Sequence, residues 1–490
     1  MVNPGISETG EQYSKTVGLI FIFNLIVGTG ALTMPRAFAA AGWLLSLITI
    51  IVLSFMSYMT VTFVTEAMSI ANAINKKKDG TINRSASIND DEDEERRPLL
   101  NSGEDHNGAL SPFEITERTE LGQMALMFFN KIGITFFNIC MIVYLYGDLS
   151  IYAAAVPKSI RDIACTYKPL VNGSEGCGND TILGDDVLCW GSSNLTRMDM
   201  YRISVAGFFL LLGGFTFFNV QKTKYLQLVT SLSRWIAFGM MIVLAVIRIG
   251  KKKGQGHPSV ADISGVPNLF GVCVYSFMCH HSLPSLITPI KNKSRLYALL
   301  ASDYFLILIF YLLVSLTGIF AFNSIEDIYT LNFFKPDSCD ESNSITNVKF
   351  IEYFLALFPV FTLSTNFPII SITLRNNLKA LGYKENRPYP FWLDRICFPL
   401  LALVPPMGIA LATNEVEFLV GITGSYAGAA IQYVIPTLLV FYARKQVSEC
   451  SPQSQIHASP FKSFRWIVFV CIWAALCIIF VTVNHIITRK

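Results

Sequence analysis

The feature that most constrains this chain is a recurring one. Runs of about 20 apolar residues, enough to cross a bilayer as a helix, return along its whole length. Eleven can be marked, at 16–40, 43–72, 130–159, 201–220, 225–249, 263–289, 297–322, 350–376, 392–412, 416–442 and 464–487. They are continuous rather than alternating, so they read as helices and not as barrel strands. Soluble domains carry about 25% charged residues; here charged side chains make up 15% and hydrophobic ones 52%. The fold class this requires is an all-α polytopic membrane protein, with the lipid bilayer as its first partner. A net charge of +3 spread over loops points to no nucleic-acid partner. The eleven Cys show no CxxC pairs and no Cys/His metal spacing, so neither a structural metal nor a cofactor is expected. The polar start with Glu8 and Glu11, and the lack of a basic n-region, make the first span its own insertion signal.

The runs divide the chain into an N-tail (1–15), two spans (16–74), a polar loop (75–120) and nine further spans (121–490), with a second long loop at 160–200. The first loop holds seven Lys/Arg and twelve Asp/Glu, few aromatics, and the acidic run 90–95. Such a segment cannot bury enough apolar surface to offset its ordering entropy, so it reads as largely disordered, with 113–118 able to fold back as an amphipathic lead-in to the third span. Basic residues favour a cytoplasmic N-terminus, although Arg248, Lys251, Lys252 and Lys253 count against it. The sequons at Asn172, Asn179 and Asn194 then fall together on the outer or lumenal side, as glycosylation requires. Cys165, Cys177, Cys189 and Cys339 share that side and can form one or two disulfides, with the pairing open.

Two spans are interrupted. In the first, Gly28, Thr29 and Gly30 precede Pro35; in the sixth, Cys279, His280, His281 and Ser282 precede Pro284. Gly and Pro disfavour a helix interior, and unwound backbone at membrane depth is tolerated where it is buried in protein or lines a cavity. Close helix crossing through small residues is the competing explanation. Each interrupted span opens a block of five, and such paired segments mark the midplane site of inverted-repeat transporters. Free amides at a helix start suit a carboxylate and free carbonyls suit a cation; an amino acid carries both charges. The substrate contacts expected are Val27, Gly28, Thr29, Gly30 and Ala31 facing Ser276, Cys279, His280 and His281. Adjacent histidines point to different faces, which makes a poor zinc pair. An intramembrane hydrolase using them lacks a Ser, Asp or metal partner at catalytic spacing.

The run NLIVGTGALTMP at 24–35 resembles the first helix of the amino acid/auxin permease family, in particular its solute carrier family 38 branch. GITGSYAG at 421–428, with Gln432 and Pro436, is similar to that family's tenth helix, and FPI at 367–369 followed by Arg375 to its eighth. The resemblance implies a LeuT-like fold of eleven helices, the first ten as two inverted five-helix repeats with discontinuous first and sixth helices. It also implies amino acid transport coupled to Na+ or H+. In the family, an Asn in the place of Asn24 supports sodium coupling together with a hydroxyl on the eighth helix. Thr362 and Thr365 are the candidates here, although the segment departs from the family's usual Thr-Val-Pro pattern.

Asp148 lies well inside the third span, where a carboxyl must face the bundle interior. It suits a proton carrier, or a salt bridge to a cation such as Arg234. Glu66 lies near the cytoplasmic end of the second span. In the acidic loop, Glu95 with Leu99 and Leu100 fits the acidic dileucine pattern read by clathrin adaptors, favouring an endosomal or lysosomal membrane over the plasma membrane. The function expected is a secondary active transporter of amino acids or similar amphoteric solutes, not an enzyme. The alternative is an amino-acid-binding sensor that signals through its cytoplasmic loop.

Overall fold

A computed structural model describes residues 12–88, 113–167, 170–171, 174–175, 184–192, 194–217, 224–254, 256–334, 348–381, 389–450 and 456–488. The chain is an all-α polytopic membrane protein. Its helices are α1 (Lys15–Ile26), α2 (Thr29–Ala41), α3 (Trp43–Ile88), α4 (Leu121–Phe128), α5 (Lys131–Ala164), α6 (Arg197–Leu212), α7 (Lys224–Gly250), α8 (Val266–Ser276) and α9 (Leu283–Ile287). They continue with α10 (Leu296–Ala321), α11 (Lys349–Leu381), α12 (Phe398–Ala412), α13 (Val416–Thr423), α14 (Ile435–Cys450) and α15 (Phe464–Thr488). Among the described residues nine helices are long and apolar enough to cross a membrane, ten if α1 and α2 form one bent span. The run 263–289, expected as an interrupted sixth span, is not one helix. It is the short α8, a break, and the five-residue α9.

The break between α1 and α2 follows from Gly28, which has φ −126° and ψ −140°, and the two helices diverge by 57°. Gly30 serves the other purpose expected of small residues. A Cβ there would stand 2.1 Å from Ser276 Oγ and 2.8 Å from Ser276 Cα, so α2 crosses α8 almost backbone to backbone. The same logic joins α8 to α13. A Cβ on Gly271 would meet the Gly421 carbonyl oxygen at 1.9 Å, and one on Gly424 would meet the Gly271 carbonyl oxygen at 1.9 Å. π-helical turns at Gly424–Gly428 and Ala430–Val434 then carry the chain from α13 into α14. Around this cluster α5 packs along α11, α12 and α6, and α10 against α2, α3 and α7.

The polar loop is shorter than the 75–120 read from composition. Helix α3 runs on to Ile88, and residues 113–120 dock on its flank. Asn72 decides this: its Oδ1 accepts from the Thr116 and Glu117 amides at 3.1 and 2.8 Å, and its Nδ2 donates to the Glu117 carbonyl at 3.1 Å. Phe113 and Ile115 are buried there, so this end of the loop has the apolar anchors that the acidic run lacks. Residues 89–112 lie outside the described set, and with them Glu95, Leu99 and Leu100. In the second loop Cys165 and Cys189 are joined in a disulfide, a two-residue ribbon pairs Leu170–Val171 with Ser174–Glu175, and Asn194 is exposed. Asn172, Asn179, Cys177 and Cys339 lie outside the described residues.

Candidate functional site between the two broken helices

Where α1 stops, the carbonyls of its last turn lose their intrahelical donors. Side chains supply several of them. The Val27 amide closes on the Phe23 carbonyl at 2.9 Å, the Arg234 guanidinium from α7 donates to the Asn24 carbonyl, and the Tyr311 hydroxyl from α10 reaches the Ile26 carbonyl at 3.1 Å. The Tyr311 hydroxyl is also 2.8 Å from the Ser276 carbonyl at the end of α8. One tyrosine therefore bridges the C-terminal carbonyls of both interrupted helices, and a hydroxyl with one proton serves them alternately. On the other side of the first break α2 begins at Thr29, and helix starts leave amides without intrahelical acceptors, although the Ala31 amide already donates to the Gly28 carbonyl at 3.2 Å.

The expected substrate contacts gather here. Val27, Thr29, Gly30, Ala31, Ser276, Cys279 and His280 are buried, with Gly28 and His281 half-buried. His280 Nε2 lies 2.9 Å from Thr60 Oγ1 on α3, while the His281 ring stands 5.6 Å, centre to centre, from Tyr144 on α5. The two imidazoles thus face different neighbours, as adjacency requires. His281 Nδ1 and Asn24 Oδ1 are buried without a hydrogen-bond partner among the described residues, while His280 also meets the Ser57 backbone and Thr29 meets Tyr152. Cys279 Sγ is 3.3 Å from the Tyr304 hydroxyl, which also reaches the Phe277 carbonyl at 3.4 Å.

Asp148 is buried and accepts from the Tyr275 hydroxyl. It does not form the salt bridge with Arg234 considered above, because Arg234 is engaged at the Asn24 carbonyl. One turn along α5, Tyr152 lies among Asp148, Thr29, Asn366 and Arg234 and brings α11 to the break. Thr362 Oγ1 bonds the Phe358 carbonyl and Thr365 Oγ1 the Thr362 carbonyl at 2.9 Å, so both hydroxyl protons are used within α11. Among the described residues no group of three or more His, Cys, Asp or Glu side chains is placed to hold a metal ion.

Three features escaped the sequence reading. Asp303 on α10 is fully buried, and both its carboxylate oxygens lack a partner among the described residues. Tyr311 gave no signal beyond lying in an apolar run. The third is a charged cluster toward the sequon-bearing loop. Lys158 Nζ is 2.8 Å from Asp327 Oδ2, Asp327 also accepts from the Val416 and Glu417 amides at 2.6 and 2.9 Å, and Arg36 Nε is 3.1 Å from Glu417 Oε2. Asn268 on α8 donates to Glu417 as well. This ties α2 and α8 to α5 and α13. Burial, aided by Asp162, pushes the neighbouring Glu326 carboxyl above its usual range against the pull of Lys158, Arg36 and Arg161. At the opposite end of α9, Tyr13 pairs with 289–291 through its amide, at 3.0 Å from the Pro289 carbonyl, and its carbonyl, at 3.0 Å from the Lys291 amide; its hydroxyl donates to the Leu286 carbonyl. Arg444 forks onto Glu66 at 2.8 and 2.7 Å.

Comparison with known proteins supplies what geometry alone does not. The profile of the family described as "Transmembrane amino acid transporter protein" matches residues 11–82 and 114–483. Human transmembrane protein 104 is 54% identical over 504 residues, covering 99% of each chain. The transmembrane protein 104 homologue of Drosophila melanogaster is 46% identical over 97% of this chain and 98% of its own. That of Dictyostelium discoideum is 36% identical over 99% of this chain and 100% of its own. The profile match leaves out part of the acidic loop and spans both broken helices, and with relatives this similar along the whole length, the chain belongs to the transmembrane amino acid transporter protein family.

Proposed function

We propose that the chain is a secondary active transporter of amino acids or similar small amphoteric solutes. It works by alternating access around a site between the α1–α2 and α8–α9 breaks. The observation that carries this reading is the convergence of the two breaks: Gly30 against Ser276, and Tyr311 bonded to the end of each helix. Buried polar atoms without a partner among the described residues, on Asn24 and His281, give such a solute something to bind. The amides opening α2 suit its carboxylate. The helix pairs α1–α2 and α8–α9 correspond as the first members of two inverted five-span repeats, the arrangement that places substrate at the midplane. Coupling is to Na+ or H+, with Asp148 placed to carry a proton. Asn24, Thr362 and Thr365 are the candidates for sodium. The N-terminus is cytoplasmic, the 160–200 loop is glycosylated at Asn172, Asn179 and Asn194, and the dileucine pattern at Glu95, Leu99 and Leu100 directs the protein to endolysosomal membranes through clathrin adaptors.

Purified protein in liposomes, offered a panel of labelled amino acids with Na+ and H+ gradients imposed separately, tests the reading. Gradient-driven accumulation of at least one amino acid supports it. Saturable binding without accumulation would make the chain a sensor instead.

A further inference from the structure

Arg234 presents a guanidinium to the carbonyl of Asn24, two residues before α1 ends. Two features make this more than a helix tether. The carbonyl belongs to the turn that the Gly28 break deprives of donors, which is where freed oxygens would gather round a coupling cation. On the same residue, Asn24 Oδ1 is buried and unpartnered among the described residues, while Thr362 and Thr365 have turned their hydroxyl protons into their own helix. Tyr152 and Tyr311 interact electrostatically with the guanidinium, and Tyr152 also with Asp148, which accepts from the Tyr275 hydroxyl. Arginine stays protonated at every physiological pH. A sodium ion on Asn24 Oδ1 would share a residue with the carbonyl that this fixed charge occupies; two unit charges about 5 Å apart at an effective dielectric of about 20 repel enough to weaken binding by ~10²-fold.

We propose that Arg234 is a built-in cation at the broken first helix. It takes the place of a coupling sodium ion at Asn24, Thr362 and Thr365, so of the two coupling ions proposed above the proton remains and sodium does not drive this transporter. The inference rests on reading the break as the transport site, but its first test needs no substrate. The thermal stability of the purified full-length protein is measured in sodium chloride and in choline chloride at about 150 mM. Wild type is expected to melt at the same temperature in both. Arg234→Lys keeps a cation and should remain insensitive to sodium. Arg234→Ala should melt lower, and should be raised by at least about 2 °C by sodium or by methylguanidinium. Stabilisation of wild type by sodium over choline would overturn the proposal, as would an Arg234→Ala protein that responds to neither cation. Should Arg234→Ala fail to fold, the wild-type and Arg234→Lys arms decide alone. In liposomes, wild-type uptake should be unchanged when choline replaces sodium. Absence of uptake of any amino acid would count against the transport reading while the melting result still stands.

Discussion

Asp303 is the residue whose surroundings are hardest to explain by stability. A carboxyl with no exposed surface and no partner for either oxygen among the described residues is held at a cost, and such costs are retained at working sites. Replacing it with leucine should raise thermal stability by about 1–3 kcal/mol, the penalty of leaving such a group unpaired, and should reduce solute uptake in liposomes. A fall in stability with uptake intact would instead identify an ordinary structural carboxyl. Asp148 differs, since Tyr275 satisfies one oxygen. Sequence reasoning found Asp148 because an acid within a motif stands out. Asp303 sits in the long apolar run of α10, and its complete burial without a partner among the described residues makes it notable. Arg234 was visible as a buried cation, but its partner was not. A backbone carbonyl leaves no mark in a sequence, so a carboxylate was the natural guess.

The element that sets the site is the broken first helix, and its two glycines do different things. At Gly28 the nearest atom to a built Cβ is the Ile26 carbonyl oxygen at 4.0 Å, whereas at Gly30 it is Ser276 Oγ at 2.1 Å. Gly28→Ala should therefore cost less than about 1 kcal/mol. Gly30→Ala should cost about 1–3 kcal/mol through overpacking and lose uptake, because α2 and α8 must part. Comparable melting losses in the two variants would contradict this division. The competing explanations of the run, unwound backbone and tight crossing, are thus both realised two residues apart. Period and composition placed these elements because apolar length is a local property. They allowed 113–118 to fold back but did not give its docking on Asn72, whose four hydrogen bonds connect segments 44 to 47 residues apart. They also left the pairing of Cys165 with Cys189 open, since spacing does not select one bond among four cysteines.

At the scale of the whole molecule, the broken helices are pinned at both ends. Asp327 links Lys158 of α5 to the start of α13, where Glu417 holds Arg36 of α2 and Asn268 of α8; Tyr13 holds the stretch around α9. Alternating access requires these ties to release in turn. Asp327→Asn weakens the first of them, since breaking a buried ion pair by removing one partner costs about 3–5 kcal/mol. A cysteine placed at Thr29 should then react with a membrane-impermeant thiol reagent added on the sequon-bearing side, and should stay protected when Asp327 is intact. Equal protection in both backgrounds would mean that the cluster is not a gate. The central claim, that the two breaks together form a solute site, is tested most directly by counterflow. Liposomes holding the protein and loaded with an unlabelled amino acid are diluted into a trace of the labelled one, so that no coupling ion is needed. Transient accumulation of label by wild type is predicted, with Gly30→Ala and with Tyr311→Phe, which loses the hydroxyl joining both helix ends, falling toward protein-free liposomes. Undiminished counterflow in both variants, or none in a wild type that binds the amino acid, would contradict the account.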